Sequence, residues 1–288
     1  MSPRSNYLRG ECEVFDYHVH SEFSADCTVP MRSSCEAAIA AGVTEIAFTD
    51  HVEHQHTDLG YGYYKIEEYL RSVEQLQADF AGRLRILKGA EVDFHTDTAE
   101  LVQAWIDRHS SEYDIIIGSV HYGDDARIIF QEYFEGKTID DVVYPYLDQL
   151  EAAVRTGWFD TIGHLDIPKR YLPKTLRAYD PARYRDRWSD LFRALIDTQT
   201  AFEINTSGLR QTPKTSMPGP AVVRWYVEAG GTLITTGSDS HAAQTIGTGI
   251  LKTIDMLALC GITHVASFSG RNRRLVPVEE LRAVPAKT

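Results

Sequence analysis

Two histidines one residue apart, His18 and His20, follow the run Val14-Phe15-Asp16-Tyr17. Side chains along a strand alternate between faces, so both imidazoles would project to one side, spaced to grip a single metal ion. A His-x-His pair by itself reads equally well as two polar residues on a strand face. The pattern recurs, however, down the chain. Ile46-Ala47-Phe48 leads into Thr49-Asp50-His51, Ile86 to Ala90 into Glu91, and Ile115 to Val120 into His121. Phe159 to Gly163 leads into His164, and Leu233 to Ser238 into Asp239-Ser240-His241. Imidazole nitrogens and carboxylate oxygens together suit zinc, iron or manganese, and no cysteine joins the pattern. Such a centre suits metal-assisted hydrolysis, of a phosphate ester or of an amide. Two metals ~3.5–4 Å apart can share a water and lower its pKa enough to supply hydroxide near neutral pH. Phosphoryl transfer otherwise asks mainly for positioning and charge stabilisation.

For these residues to meet, the strand ends that carry them must converge. Strand and helix signals alternate from end to end, which predicts a parallel sheet with helices outside. Strands are expected at about 14–20, 45–48, 84–94, 114–121, 159–164, 201–205 and 233–239, and 263–267 offers one further short strand. Helices are expected at about 66–80, 98–109, 140–157, 180–199 and 221–229, with Asp180-Pro181 as N-cap and first-turn proline. Ser33-Ser34-Cys35-Glu36 reads as a capping box opening an alanine-rich helix that stops at Gly42. The polar, tyrosine-rich stretch Val52 to Tyr64 reads as a loop long enough to act as a lid. The expected architecture is a single-domain α/β fold, a distorted (β/α)7 barrel with a metal cluster at the C-terminal ends of the strands, where parallel barrels place catalytic residues. An open doubly wound sheet fits less well, because it would not gather so many strand ends.

Composition narrows the function. The chain has 288 residues, 43% hydrophobic and 24% charged, as in ordinary globular proteins. A net charge of −12 argues against nucleic-acid binding through a general basic surface. No run reaches the ~20 apolar residues of a membrane span, and the first residues lack a signal-peptide core. The cysteines Cys12, Cys27, Cys35 and Cys260 form no metal or disulfide framework and read as reduced thiols of a cytoplasmic protein.

His18-Val19-His20, Asp26, Thr49-Asp50-His51, Gly89-Ala90-Glu91, Ser119-Val120-His121, Gly163-His164 and Gly237-Ser238-Asp239-Ser240-His241 occur in an order that resembles the polymerase-and-histidinol-phosphatase (PHP) family. The segments 163–170 (Gly-His-Leu-Asp-Ile-Pro-Lys-Arg) and 203–210 (Glu-Ile-Asn-Thr-Ser-Gly-Leu-Arg) are most similar to its stand-alone histidinol-phosphate phosphatases. The resemblance implies three divalent transition-metal ions in a PHP barrel spanning about residues 14–270, with 1–13 and 271–288 as terminal extensions. His18, His20, Glu91 and Asp239 would hold one metal. Glu91 would bridge to a second, completed by His121 and His164, and Asp26, His51 and His241 would hold the third. Asp26 enters only through the resemblance. The implied reaction is hydrolysis of L-histidinol phosphate, a small-molecule phosphate ester, with Glu91, Asp239 and His241 carrying the chemistry. The alternative is another PHP phosphoesterase activity, on nucleotides or a different phosphomonoester.

Basic residues beyond the strand ends are the candidate phosphate contacts: Arg210 first, then Arg170, with Lys169 able to replace either, because an arginine fork matches phosphate geometry. His54 and His56, in the Val52–Tyr64 loop, are candidate substrate contacts, and Tyr61, Tyr63 and Tyr64 are candidates to close over an imidazole. His95 shares a strand face with Glu91 and Asp93 but is expected farther out, in solvent. His109 and His264 are expected to be structural.

Overall fold

The computed structural model describes residues 13–176 and 179–282. Strands β1 (Phe15–Val19), β2 (Glu45–Phe48), β3 (His51–Val52), β4 (Arg85–Asp93), β5 (Ile115–Ser119), β6 (Thr161–Ile162), β7 (Ala201–Asn205) and β8 (Ile234–Gly237) form one parallel sheet. Its order is β1-β2-β4-β5-β6-β7-β8, with β3 paired to the outer end of β4. The sheet curls into a ring. A parallel bridge between Val19 and Ser240 brings its two edges together, the His20 amide donating to the Ser240 carbonyl at 2.9 Å and the Ser240 amide to the His18 carbonyl at 3.2 Å. This closure ties the two histidines of β1 to the loop that carries Asp239 and His241.

The strands are buried along their whole length, apart from two half-buried positions early in β4 and one in β3, as expected where helices cover the outer face. Around them lie α1 (Met31–Ala40), α2 (Ile66–Asp79), α3 (Ala99–His109), α4 (Ile139–Arg155), α5 (Pro168–Tyr171), α6 (Arg185–Thr198), α7 (Ser207–Arg210), α8 (Pro220–Glu228), α9 (Ile250–Cys260) and α10 (Val278–Arg282). Helix α2 shows how they attach. Tyr69, Val73 and Leu76, with Phe80 just past its end, recur at helical spacing and are all buried. Each aliphatic side chain so buried contributes about 1.5–3 kcal/mol relative to leaving it exposed. The Tyr69 hydroxyl lies 2.8 Å from the carbonyls of Phe48 and Gly89 and accepts from the Gly89 amide at 2.9 Å, filling the ladder where β2 gives way to β3.

Three expectations need correction. Helix α1 begins at Met31, ahead of Ser33, so the Ser33–Glu36 pattern lies inside the helix and caps nothing. The Met31 amide, which has no partner within the helix, instead donates to Glu22 Oε2 at 2.7 Å. The late strand does form, as β9 (His264–Ser269), but it pairs antiparallel with β10 (Asn272–Pro277) in a separate hairpin outside the ring. The Val52–Tyr64 stretch is not all loop, since His51–Val52 pairs with Glu91 and Val92 of β4. The cysteines among the described residues, Cys27, Cys35 and Cys260, are free and buried, while Cys12 lies outside those residues. Among the described residues no helix is long and apolar enough to cross a membrane.

Candidate metal centre

Glu91 stands at the middle of the ring opening, on β4, and is 1% exposed. Its two oxygens face different groups. Oε2 lies 3.2 Å from His18 Nε2, 3.5 Å from His20 Nε2 and 3.0 Å from His51 Nδ1. Oε1 lies 3.1 Å from His164 Nε2 and 3.5 Å from His121 Nε2, and those two nitrogens are 3.2 Å apart. Around the cluster's outer side, Asp26 Oδ2 lies 3.1 Å from His241 Nε2 and 3.7 Å from His51 Nε2. Asp239 Oδ1 lies 3.6 Å from His20 Nε2 and 3.5 Å from His241 Nδ1. Donors about 2.1 Å from a tetrahedral metal sit about 3.4 Å from one another, so these separations match the spacing of donors that could share an ion. Four groups bring their donor atoms within 4.8 Å of one another: His20/Asp26/His51/His241, His18/His20/Glu91, Glu91/His121/His164 and His51/Glu53/His121. All the ligands expected from the sequence are thus gathered, including loop residue Asp26.

Hydrogen bonds orient the donor atoms, and protonation divides them into two sets. The buried atoms His18 Nε2, His20 Nε2, His51 Nδ1 and Glu91 Oε2 have no hydrogen-bond partner. Leaving such atoms unpaired costs about 1–3 kcal/mol each or more, and a cation among them removes that cost. The opposite ring nitrogens are held. His18 Nδ1 donates to Glu203 Oε1 at 2.8 Å. The Ser24 hydroxyl gives its proton to Asp50, so it accepts from His20 Nδ1 at 3.1 Å. His241 Nδ1 donates to the Asp239 carbonyl at 3.3 Å. Each bond leaves Nε2 with its lone pair toward the cluster. Burial pulls His20, His121 and His164 below the usual imidazole range, which favours the neutral, metal-binding form. Burial also opposes charge on His18 and His51, but Glu203 and Glu91 for the first, and Glu91 and Asp26 for the second, more than offset it and hold both above that range. Burial would push Glu91 and Asp239 up; the histidines around Glu91, and Arg170 with His18 beside Asp239, pull both well below the carboxylate range instead.

Supporting residues escaped the sequence reading. Glu203, 1% exposed on β7, ties His18 to β6 and β7: its Oε2 accepts from the His164 amide and from Asn205 Nδ2, each at 3.0 Å. Asp16 receives the Ser238 and Gly247 amides at 2.7 Å and so fixes the loop that carries Asp239. A carboxylate inside a strand buried on both faces is itself a signal, and Glu203 and Asp16 both carried it. Asp239 adopts a left-handed φ of 50°, a conformation costly for most residues but tolerated by Asp. Gly237 leaves room beneath it, since a Cβ there would meet Glu203 Oε1 at 2.1 Å and the His18 Cβ at 2.4 Å.

A cavity of about 380 Å³ opens on the cluster, lined by Asp26, His51, Glu91, His121, His164, Asp239 and His241 and walled by Leu59, Ile128, Phe130 and Tyr171. Of the expected phosphate contacts, Arg170 lines it. Arg170 donates to Ser207 Oγ and Asp239 Oδ2 at 2.8 Å and to Gln211, leaving Nη1 with only a long 3.4 Å contact to the Tyr171 hydroxyl. Arg210 is not in the lining: it donates to the Ser238 carbonyl at 2.8 Å and braces the Asp239 loop from behind. Lys169 turns to Asp166 Oδ2 and the Ser216 carbonyl, at 2.7 and 2.8 Å. His54 and His56 are also outside the lining, and burial lowers His54 to about 4. Tyr61 and Tyr63 are exposed and Tyr64 pairs with the Tyr113 hydroxyl, so none of them covers the cavity. His95 is buried rather than solvated, with Nε2 3.0 Å from the Gly123 carbonyl and Nδ1 accepting the Asp97 amide.

A ring of parallel strands with a histidine–carboxylate cluster at their C-terminal ends defines the class, and the chain belongs to the PHP domain family, whose model matches residues 16–207. The histidinol-phosphatase of Lactococcus lactis is 31% identical over 257 residues, spanning 88% of this chain and 94% of its own. The probable histidinol-phosphatase of Deinococcus radiodurans is 32% identical over 240 residues, spanning 81% of this chain and 88% of its own. The crystal structure of the Lactococcus lactis histidinol phosphate phosphatase, complexed with zinc, L-histidinol and phosphate, matches with a TM-score of 0.83 at 29% identity, over 91% of this chain and 99% of that one.

Proposed function

We propose that this chain is a metal-dependent phosphomonoesterase that hydrolyses L-histidinol phosphate to L-histidinol and phosphate in histidine biosynthesis. The observation that carries the metal-dependent chemistry is the divided Glu91 carboxylate, one oxygen toward His18 and His20 and the other toward His121 and His164. The substrate follows from the relatives, above all the one whose structure holds zinc, L-histidinol and phosphate. The proposed centre would take three divalent ions, zinc, iron or manganese: His18, His20, Glu91 and Asp239 would hold one, Glu91, His121 and His164 another, and Asp26, His51 and His241 the third. Bound there, such ions supply a water of lowered pKa and neutralise charge on phosphoryl oxygens.

The chain's own residues do the rest. Glu91, Asp239 and His241, proposed to carry the chemistry, all line the cavity. Arg170 presents its underused Nη1 to a phosphate oxygen, while Ser207 and Gln211 hold the guanidinium in place. Glu203 keeps His18 oriented through the cycle. Leu59, Ile128 and Phe130 border one side of the cavity and offer an apolar surface to the substrate's ring. The test is phosphate release by metal-quantified protein over a panel of phosphomonoesters and nucleotides. L-histidinol phosphate should lead by at least tenfold in kcat/KM, which is only ~1.4 kcal/mol of differential transition-state binding. Equal or better turnover of nucleotides would replace it with the nucleotide reading.

A further inference from the structure

The segment that follows β6 is a wall shared by two cavities. His164, Ile167, Arg170 and Tyr171 line the catalytic one. Asp166, Lys169 and Leu172, spaced three residues apart, line a second cavity of about 350 Å³. Among the described residues the two have no lining residue in common. Lys169 and Arg170, neighbours on α5, therefore serve different cavities. The rest of the second cavity comes largely from the segment 212–222, where Pro213, Pro220 and Val222 give it apolar walls.

Asp166 is 5% exposed, and Lys169 meets its charge: Nζ donates to Oδ2 at 2.7 Å and to the Ser216 carbonyl at 2.8 Å. The pair is incomplete at both ends. Asp166 Oδ1 is buried and has no hydrogen-bond partner, and the ammonium has a third proton to give. A buried ion pair is favourable only where its remaining lone pairs and protons are satisfied. One small wall thus offers a negatively charged acceptor beside a positively charged donor, framed by apolar surface.

We propose that this second cavity is an effector site for an α-amino acid. The ligand's ammonium meets Asp166 Oδ1, its carboxylate meets Lys169, and its side chain lies against Leu172, Pro213 and Val222. The proposal goes beyond the phosphatase reading, because it assigns a site that the reaction does not use. A ligand there bears on the catalytic cavity by two routes. One is α5 itself, which carries Lys169 and Arg170 side by side. The other runs through the segment 212–222. Met217 exchanges both backbone hydrogen bonds with Asn205 at 2.9 Å, Asn205 Oδ1 accepts the Ser207 amide at 3.0 Å, and Ser207 Oγ accepts from Arg170 at 2.8 Å. Drawing Lys169 toward a carboxylate loosens its hold on the Ser216 carbonyl and shifts the supports of Arg170. Coupling between two sites is reciprocal, so phosphate affinity reports on the amino acid.

Calorimetry on the metal-loaded protein tests this in two steps. L-Valine, L-leucine, L-phenylalanine and L-histidine are titrated first, then inorganic phosphate at several fixed concentrations of the tightest binder. About one equivalent should bind per chain, and the binder's decarboxylated and deaminated analogues should each bind at least tenfold more weakly. Phosphate affinity should change by at least threefold and then level off. Asp166→Asn removes the charge, and Ala221→Trp fills the cavity from the first turn of α8. Each should weaken amino-acid binding at least tenfold at unchanged metal content. No binding by any of the four overturns the site. So does a phosphate affinity that keeps falling as the amino acid rises, the mark of competition in the catalytic cavity. Binding that leaves phosphate affinity unchanged overturns the effector role. These outcomes are read on wild type, so they hold whether or not a variant folds, and none depends on which phosphate ester the protein hydrolyses.

Discussion

A single carboxylate with two differently committed oxygens is the hinge of the site. Glu91→Gln keeps the shape of Glu91 but removes the charge and turns one oxygen into a donor that no cation will accept. Activity should fall by orders of magnitude and metal content should drop while the thermal transition stays cooperative, measured together on one preparation. Near-normal turnover with the metals retained would show that Glu91 does not bridge. The arginines separate in the same way. Arg170→Ala should cost about 1.5–3 kcal/mol of charge-assisted contact, roughly 10- to 150-fold in kcat/KM, compared at matched metal occupancy because Arg170 also bonds the Asp239 carboxylate. Arg210→Ala should act through the Asp239 loop that it braces, and so show first as weakened metal binding; a KM effect with full occupancy would return Arg210 to the phosphate. The histidines were legible because each closes an apolar run, a pattern set by chain-local periodicity. The choice between Arg170 and Arg210 was not legible. Both follow strand ends, and which one turns inward depends on Ser207, Gln211 and Asp239, contacts 30 or more residues away from Arg170 in the chain.

At the scale of elements, the strands were readable and their supports were not. β7 falls at 201–205, where the sequence places a strand, yet the role of Glu203 within it requires knowing that β1, β6 and β7 end around one ring opening. The same distance in sequence hid the part played by Asp16, whose partners Ser238 and Gly247 lie more than 200 residues on. The capping pattern at Ser33 misled because a local cap was not needed: Glu22, from the loop after β1, already satisfies the first turn of α1. This packing makes Gly237→Ala informative. The added methyl would press on Glu203 and His18 at the closure of the ring, and overpacking of this kind typically costs 1–3 kcal/mol. The variant should lose metal affinity more than it loses melting temperature. A metal titration indistinguishable from wild type would mean that the contact between β1 and β8 yields without disturbing His18.

For the whole molecule, the centre is a store of unpaired polar groups that only cations reconcile, so stability should be linked to metal and to pH. Chelation should lower the melting temperature, because an ion that binds only the folded chain stabilises it by mass action. The acid response should also change with loading. In the stripped protein, burial depresses His20, His121 and His164, and the stability they contribute above the free imidazole value near 6.5 is lost as pH falls. His18, His51 and His241 are raised despite burial, and their contribution, present below that value, is lost as pH rises. The two sets partly cancel. With metal bound all six must stay deprotonated, so the melting temperature of the loaded protein should climb more steeply between about pH 5 and 7. Calorimetry of both forms across that range decides it, and parallel curves would contradict the linkage.

The most direct test of the account is phosphate release from L-histidinol phosphate as stripped protein is titrated with zinc or manganese, with bound metal counted at every step. No turnover is expected without metal, and full activity only as occupancy approaches the third equivalent. Full activity in protein carrying one ion or none would contradict it.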